Sequence, residues 1–170
     1  QPHLVEVYDE DEKECIEDAV KLAEECDIAI IVGGDNTFTS SEGHDRADLK
    51  LAGKQRELIE RVAKTGTPVV LVLENGRSVD LSVESNLSSA IMLSWFGGEK
   101  GAKAIVDTLI GENNPAGRLP VSFPADSNRI PCYYTLLPNN TEVMFEGNRR
   151  AKYPFGFGLS YTKFELSSKV

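Results

Sequence analysis

The apolar positions of the chain alternate between two periods. From Asp11 to about Glu25, with Cys26 at the exit, Cys15, Ile16, Ala19, Val20, Ala23 and Cys26 recur at helical spacing, which predicts an amphipathic helix. Ile28-Ala29-Ile30-Ile31-Val32 follows at once, the most apolar run of the chain, with the length and branching of a strand buried on both faces. Helical spacing returns at Leu51, Gln55, Leu58, Ile59, Val62 and Ala63 and ends near Lys64 and Gly66. Thr67-Pro68 then leads into Val69-Val70-Leu71-Val72-Leu73, a second core strand closed by Glu74-Asn75-Gly76. A third apolar run, Ala90-Ile91-Met92-Leu93, passes through Ser94-Trp95-Phe96 into Gly97-Gly98. It precedes a helix over about Glu99 to Ile110, with Ala102, Ile105 and Leu109 on one face.

Three times an apolar run ends at a glycine and a helical segment begins later, so the pattern calls for an α/β layered fold with a mainly parallel sheet. The ends of the chain depart from it. Leu4-Val5-Glu6-Val7-Tyr8 alternates as a short strand, and Val121-Ser122-Phe123-Pro124 reads as a short edge or terminal strand, flanked by prolines that cannot donate to a ladder. Ala125 to Tyr153 is mostly polar, loop-forming chain, and Lys163-Phe164-Glu165-Leu166-Ser167 has the pattern of a further strand.

At 170 residues, 41% of them hydrophobic and 26% charged, the chain has the size and composition of one globular domain. Its net charge of −9 disfavours a nucleic acid or an anionic membrane surface as partner, since either would repel it at long range. Much of the excess lies in Glu6, Asp9, Glu10, Asp11, Glu12 and Glu14, a solvated helix start. No apolar run reaches bilayer length. Cys15, Cys26 and Cys132 are too few for a disulfide framework and match no zinc spacing; Cys15 and Cys26 are expected to pack as small apolar groups. Gly97-Gly98-Glu99-Lys100-Gly101 lacks the spacing and hydroxyl of a phosphate loop, and Gly156-Phe157-Gly158 opens no helix, which speaks against nucleotide binding at either.

The candidate chemistry sits after the first buried run, in Gly33-Gly34-Asp35-Asn36-Thr37-Phe38-Thr39-Ser40-Ser41-Glu42-Gly43-His44-Asp45-Arg46. Open α/β sheets present reactive groups beyond the carboxyl ends of their strands, where this polar loop falls. Glu42 lies between Ser41 and Gly43, small residues that leave a carboxyl group approachable. His44, with only His3 for company, makes neither a metal site nor a nucleophile triad. Spacing alone leaves Glu42 open between a surface carboxylate and a catalytic one, and leaves Asp45 and Arg46 open between bracing the loop and touching a substrate.

Ser40-Ser41-Glu42-Gly43-His44-Asp45-Arg46 followed by Leu49-Lys50-Leu51 and Gln55-Arg56-Glu57-Leu58-Ile59 resembles the second domain of glycoside hydrolase family 3, the β-glucosidases and β-xylosidases. Further pieces occur in the family's order: Asn75-Gly76-Arg77, then Trp95-Phe96-Gly97-Gly98 with Gly101, then Asn114-Pro115-Ala116-Gly117-Arg118-Leu119-Pro120-Val121-Ser122-Phe123-Pro124. The last is Tyr153-Pro154-Phe155-Gly156-Phe157-Gly158-Leu159-Ser160-Tyr161-Thr162-Lys163-Phe164, so the resemblance runs from about Ala23 to Phe164.

The resemblance implies a layered α/β/α sandwich. Residues 1–162 would form a single domain lacking its first strand, and 163–170 would begin a linker or following domain. It also implies that Glu42 is the general acid/base of a retaining exo-β-glycosidase, protonating the departing glycosidic oxygen and later deprotonating the incoming water. The nucleophile, a carboxylate roughly 5 Å across from it, would be an Asp in a Ser-Asp-Trp setting on a separate barrel domain. No Ser-Asp-Trp occurs here and the single tryptophan is Trp95, which is read as core or interface packing. The implied partners are therefore a β-linked glycoside and a barrel domain, with no cofactor, and the chain by itself would hydrolyse little. Asn36, His44, Asp45 and Arg46 are left unranked as contacts to sugar or barrel. The competing readings are a noncatalytic carbohydrate-binding or scaffolding domain of the same fold and an unrelated flavodoxin-like small-ligand binder.

Overall fold

The computed structural model describes residues 12–43, 45–135, 151–165 and 167–168. Its elements in order are α1 (Glu12–Glu24), β1 (Ala29–Gly34), α2 (Gln55–Ala63), β2 (Val69–Glu74), the single turn α3 (Glu84–Leu87), β3 (Ala90–Leu93) and α4 (Gly101–Leu109), the last entered through a 3-10 turn at Gly98–Lys100. The strands form one open parallel sheet in the order β1-β2-β3, with Ala29 beside Val69 and Val70 beside Ala90. Parallel neighbours cannot be joined by a hairpin, so α2 and α3 occupy the crossovers. The α/β architecture with a parallel sheet is the one that the apolar pattern predicts.

Side-chain alternation divides the sheet into two faces. Val69, Leu71 and Leu73 of β2 point to the side of α1 and α2, where one cluster joins Leu71 and Leu73 to Leu51, Ile59, Val79, Leu81 and Phe123. A second cluster joins Val69 to Ala23 of α1 and Val62 of α2, with Ala29 and Ile31 of β1 against it. Polar links fasten the same layer: Arg61 Nη2 donates to Glu17 Oε1 at 2.7 Å between α2 and α1, and Thr67 Oγ1 donates to the Ala23 carbonyl at 2.7 Å. Arg56 of α2 meets the fully buried Glu84 in a two-pronged pair of 2.7 and 3.1 Å. Burial works to lower the Arg56 pKa, and the hydrogen bond and charge of Glu84 outweigh it and raise it.

Several expectations need correction. β1 is not buried on both faces: Ile30 and Val32 are 54% and 63% exposed, whereas Val72, beside Val32 on β2, is fully buried. The reason is position, because β1 pairs with β2 alone among the described residues and is covered on its α1/α2 side only. Cys26 is exposed rather than packed, because the chain leaves α1 there, and Cys15 is half-buried. The stretch around Phe123 is no strand but a single antiparallel bridge, Phe123 to Tyr153. Lys163–Glu165 and Ser167 carry no strand, and the expected strand Leu4–Tyr8 lies outside the described residues. Of the expected loop Ala125–Tyr153, residues 136–150 lie outside them too.

Candidate active site

β1 ends at a glycine because no other residue fits there. Gly34 has φ 136°, and a Cβ would drive into the carbonyl oxygen, carbon and nitrogen of Glu74 on β2. Gln55, the first residue of α2, clamps the same glycine with its side-chain amide, accepting from Gly34 N–H at 2.7 Å and donating to Gly34 C=O at 2.9 Å. The ladder continues one step further as Asp35 N–H donates to the Glu74 carbonyl at 2.9 Å. The 35–54 loop therefore leaves the sheet from a backbone held at both of its polar groups.

Asn36 then shapes the turn: its Oδ1 accepts from Phe38 N–H at 2.9 Å and Thr39 N–H at 3.1 Å, and its carbonyl accepts from Ser40 N–H at 2.9 Å. This is the turn that an Asn side chain builds by competing for local backbone donors. Of the expected contacts, Asn36 thus serves the loop itself.

The Asp35 side chain is only 4% exposed, and two guanidinium groups compensate its charge. Arg46, on the far limb of the loop, stands 3.8 Å from Oδ1, and Arg77, from the chain after β2, stands 3.4 Å from Oδ2. Oδ2 meets Arg77 as an ion pair without hydrogen-bond geometry, and no described group hydrogen-bonds it. Arg77 Nη2 also donates to the Thr39 carbonyl at 2.9 Å, and Arg46 Nη2 to the Lys50 carbonyl at 2.9 Å. Arg46 is thus a brace, one of the two alternatives that spacing left open. Asp45 is exposed, and His44 lies outside the described residues.

Glu42 has the opposite surroundings. It is exposed, in a turn with Ser41 and with Gly43 at φ 77°, and no described residue hydrogen-bonds or ion-pairs with its carboxylate. The neighbouring strand ends complete the rim. Gly76 follows β2 so closely against Phe96 that a Cβ would stand 2.7 Å from that ring and 3.5 Å from Ser40 Oγ. Trp95, just past β3, has φ 54°, a conformation bulky residues rarely hold. Its half-buried ring packs edge-on against Phe123 with centroids 6.2 Å apart, as expected of a packing tryptophan, while Phe96 is 61% exposed. A separate cleft of about 980 Å³, lined by Met92, Trp95, Ala104, Arg118 and Tyr161 among others, includes no residue of the 35–54 loop.

The arrangement is a polar loop at the carboxyl edge of a parallel sheet, braced at its root and carrying a carboxylate that no described residue engages. The glycosyl hydrolase family 3 C-terminal domain matches this chain over residues 4–161. The chain belongs to glycosyl hydrolase family 3.

Other members of family 3 agree in sequence and shape. The chain is 39% identical over 163 residues to a periplasmic beta-glucosidase of Salmonella typhimurium, covering 89% of this chain and 21% of that protein. It is 37% identical over 165 residues to a beta-xylosidase of Formosa agariphila, covering 92% and 22%. Among solved structures, the beta-glucosidase of Listeria innocua in complex with glucose superposes with a TM-score of 0.83 at 29% identity, over 93% of this chain and 24% of that one. The chain thus spans about a fifth of the length of the curated relatives it matches. Asp35, Arg77 and Gln55 are the residues that sequence reasoning left without a role. The signal was present, since Asp35 directly follows the glycine pair and Arg77 directly follows Asn75-Gly76.

Proposed function

We propose that this chain is the acid/base-bearing domain of a retaining exo-β-glycosidase that removes terminal β-glucosyl or β-xylosyl residues. Glu42 is the general acid/base, and the nucleophile is a carboxylate of a separate barrel domain. The observation that carries the reading is the contrast at the loop: an exposed carboxylate without a partner among the described residues, on a loop whose root is pinned to two strands and a helix, in a member of this family. A group that must give a proton to a leaving oxygen and take one from water needs open access from the side of the sugar, and small neighbours such as Ser41 and Gly43 provide it. The names of the relatives support the substrate class, a β-glucoside or β-xyloside. In this reading residues 163–170 lead out of the domain, and the domain acts only together with its barrel.

The test is a leaving-group series on the whole enzyme. Glu42→Gln should lower kcat/KM for alkyl glycosides by about 10²–10⁴-fold, and for dinitrophenyl glycosides far less, because so acidic a leaving group departs without a proton. The sugar turned over faster, glucoside or xyloside, names the substrate. A variant as active as the unmodified enzyme on alkyl glycosides reduces Glu42 to a loop carboxylate.

A further inference from the structure

From the geometry of the loop root we infer that Asp35, held between Arg46 and Arg77, is a positioning residue for the acid/base. The inference rests on the reading of Glu42 just given. A nearly buried carboxylate persists only where charge compensates it, and here compensation comes from two separate places in the chain. Arg46 belongs to the limb that follows Glu42, and Arg77 to the loop after β2.

Each cation also fixes a backbone carbonyl. Arg77 takes that of Thr39, on the limb that precedes Glu42, and Arg46 takes that of Lys50. Thr39 Oγ1 closes the ring of contacts by donating to Asp35 Oδ1 at 3.4 Å. The consequence is that both limbs of the loop and the adjacent strand end are tied to one carboxylate, and Glu42 sits on the span between the two anchored limbs.

Such an arrangement answers a chemical need. Glu42 has no described partner to orient it, yet proton transfer requires its oxygen within hydrogen-bond reach of the glycosidic oxygen. The orientation must then come from the loop backbone, and displacement by about 1 Å costs on the order of 10²-fold in rate. Asp35 itself need not touch the substrate, as its burial implies.

The test uses the whole enzyme and three variants, Asp35→Asn, Glu42→Gln and the pair together. Removing the Asp35 charge should lower kcat/KM for an alkyl glycoside by about 10- to 100-fold, and for a dinitrophenyl glycoside by less than about threefold, with KM little changed. In the Glu42→Gln background the same substitution should have almost no further effect on the alkyl glycoside, because residues acting as a unit are not additive. Should Asp35→Asn fail to fold, Arg77→Lys, which keeps the charge and loses the fork, carries the same expectation at smaller size. A loss equal for both leaving groups, or one that multiplies with Glu42→Gln, overturns the positioning role while leaving Glu42 in place. A Glu42→Gln variant without leaving-group dependence overturns the acid/base reading, and the inference falls with it.

Discussion

Asp35 and Glu42 are carboxylates of one loop, and the protein treats them in opposite ways. Asp35 is nearly buried and its charge is shared between Arg46 and Arg77, whereas Glu42 is exposed and bonded to nothing described. A third carboxylate, Asp80, marks the fully satisfied extreme. Its Oδ1 accepts from Ser82 N–H at 2.9 Å, and its Oδ2 accepts from Ser127 N–H at 3.0 Å and Ser127 Oγ at 2.8 Å. Burial pushes the Asp80 pKa up, and these hydrogen bonds outweigh it, leaving it below the ordinary carboxylate value. The three differ in how far partners satisfy them: fully at Asp80, by two cations at Asp35, and by no described group at Glu42.

The contrast predicts a separation of activity from stability. The largest effect belongs to Glu42→Gln, which should remove about 10²–10⁴-fold of activity on poor leaving groups. Because the side chain makes no described contact, its thermal unfolding should stay within about 0.5 kcal/mol of the unmodified protein. Gly34→Ala should cost about 3 kcal/mol in denaturant unfolding, because the added Cβ meets β2 backbone that cannot step aside and the conformation is strained besides. Asp35→Asn should cost about 2 kcal/mol, less than the ~3–5 of a fully buried pair, since Arg77 keeps nearly a third of its side chain in water. At the crest, Gly43→Ala has open space around it and only its φ of 77° against it, so about 1 kcal/mol is expected.

Asp80 sharpens the comparison by pH. Its pKa is lower in the folded than in the unfolded state, so its contribution is complete above the unfolded value of about 3.9. It is lost as pH falls through the lower folded value. The stability difference between the unmodified protein and Asp80→Asn should therefore be constant at neutral pH and shrink below about pH 4.

Much of this was legible in the residues. Val69–Leu73 and Ala90–Leu93 read as strands almost to the residue, because continuous branched apolar runs bounded by Pro68 and Gly76 or by Gly97 have few other solutions. α3 leaves no signal in the sequence, since its four residues Glu84–Leu87 are too short to show a period. The apolar run of β1 reads as doubly buried because composition does not show that β1 is an edge among the described residues, where Ile30 and Val32 stay more than half exposed. At the loop, Glu42 stands out as a candidate through its neighbours Ser41 and Gly43 and the family pattern. The clasp on Asp35 does not, because it joins residues distant in sequence, and only the register of β1 against β2 brings Arg77 to the loop.

Azide tests the proposed chemistry of Glu42 most directly. In the whole enzyme carrying Glu42→Ala, an activated aryl glycoside should form its glycosyl intermediate readily and then stall, because no base remains to activate water. Azide, which needs no base, should restore turnover in proportion to its concentration and release a β-glycosyl azide. Turnover unmoved by azide, or an Ala variant as fast as the unmodified enzyme, would place the acid/base elsewhere and contradict the account.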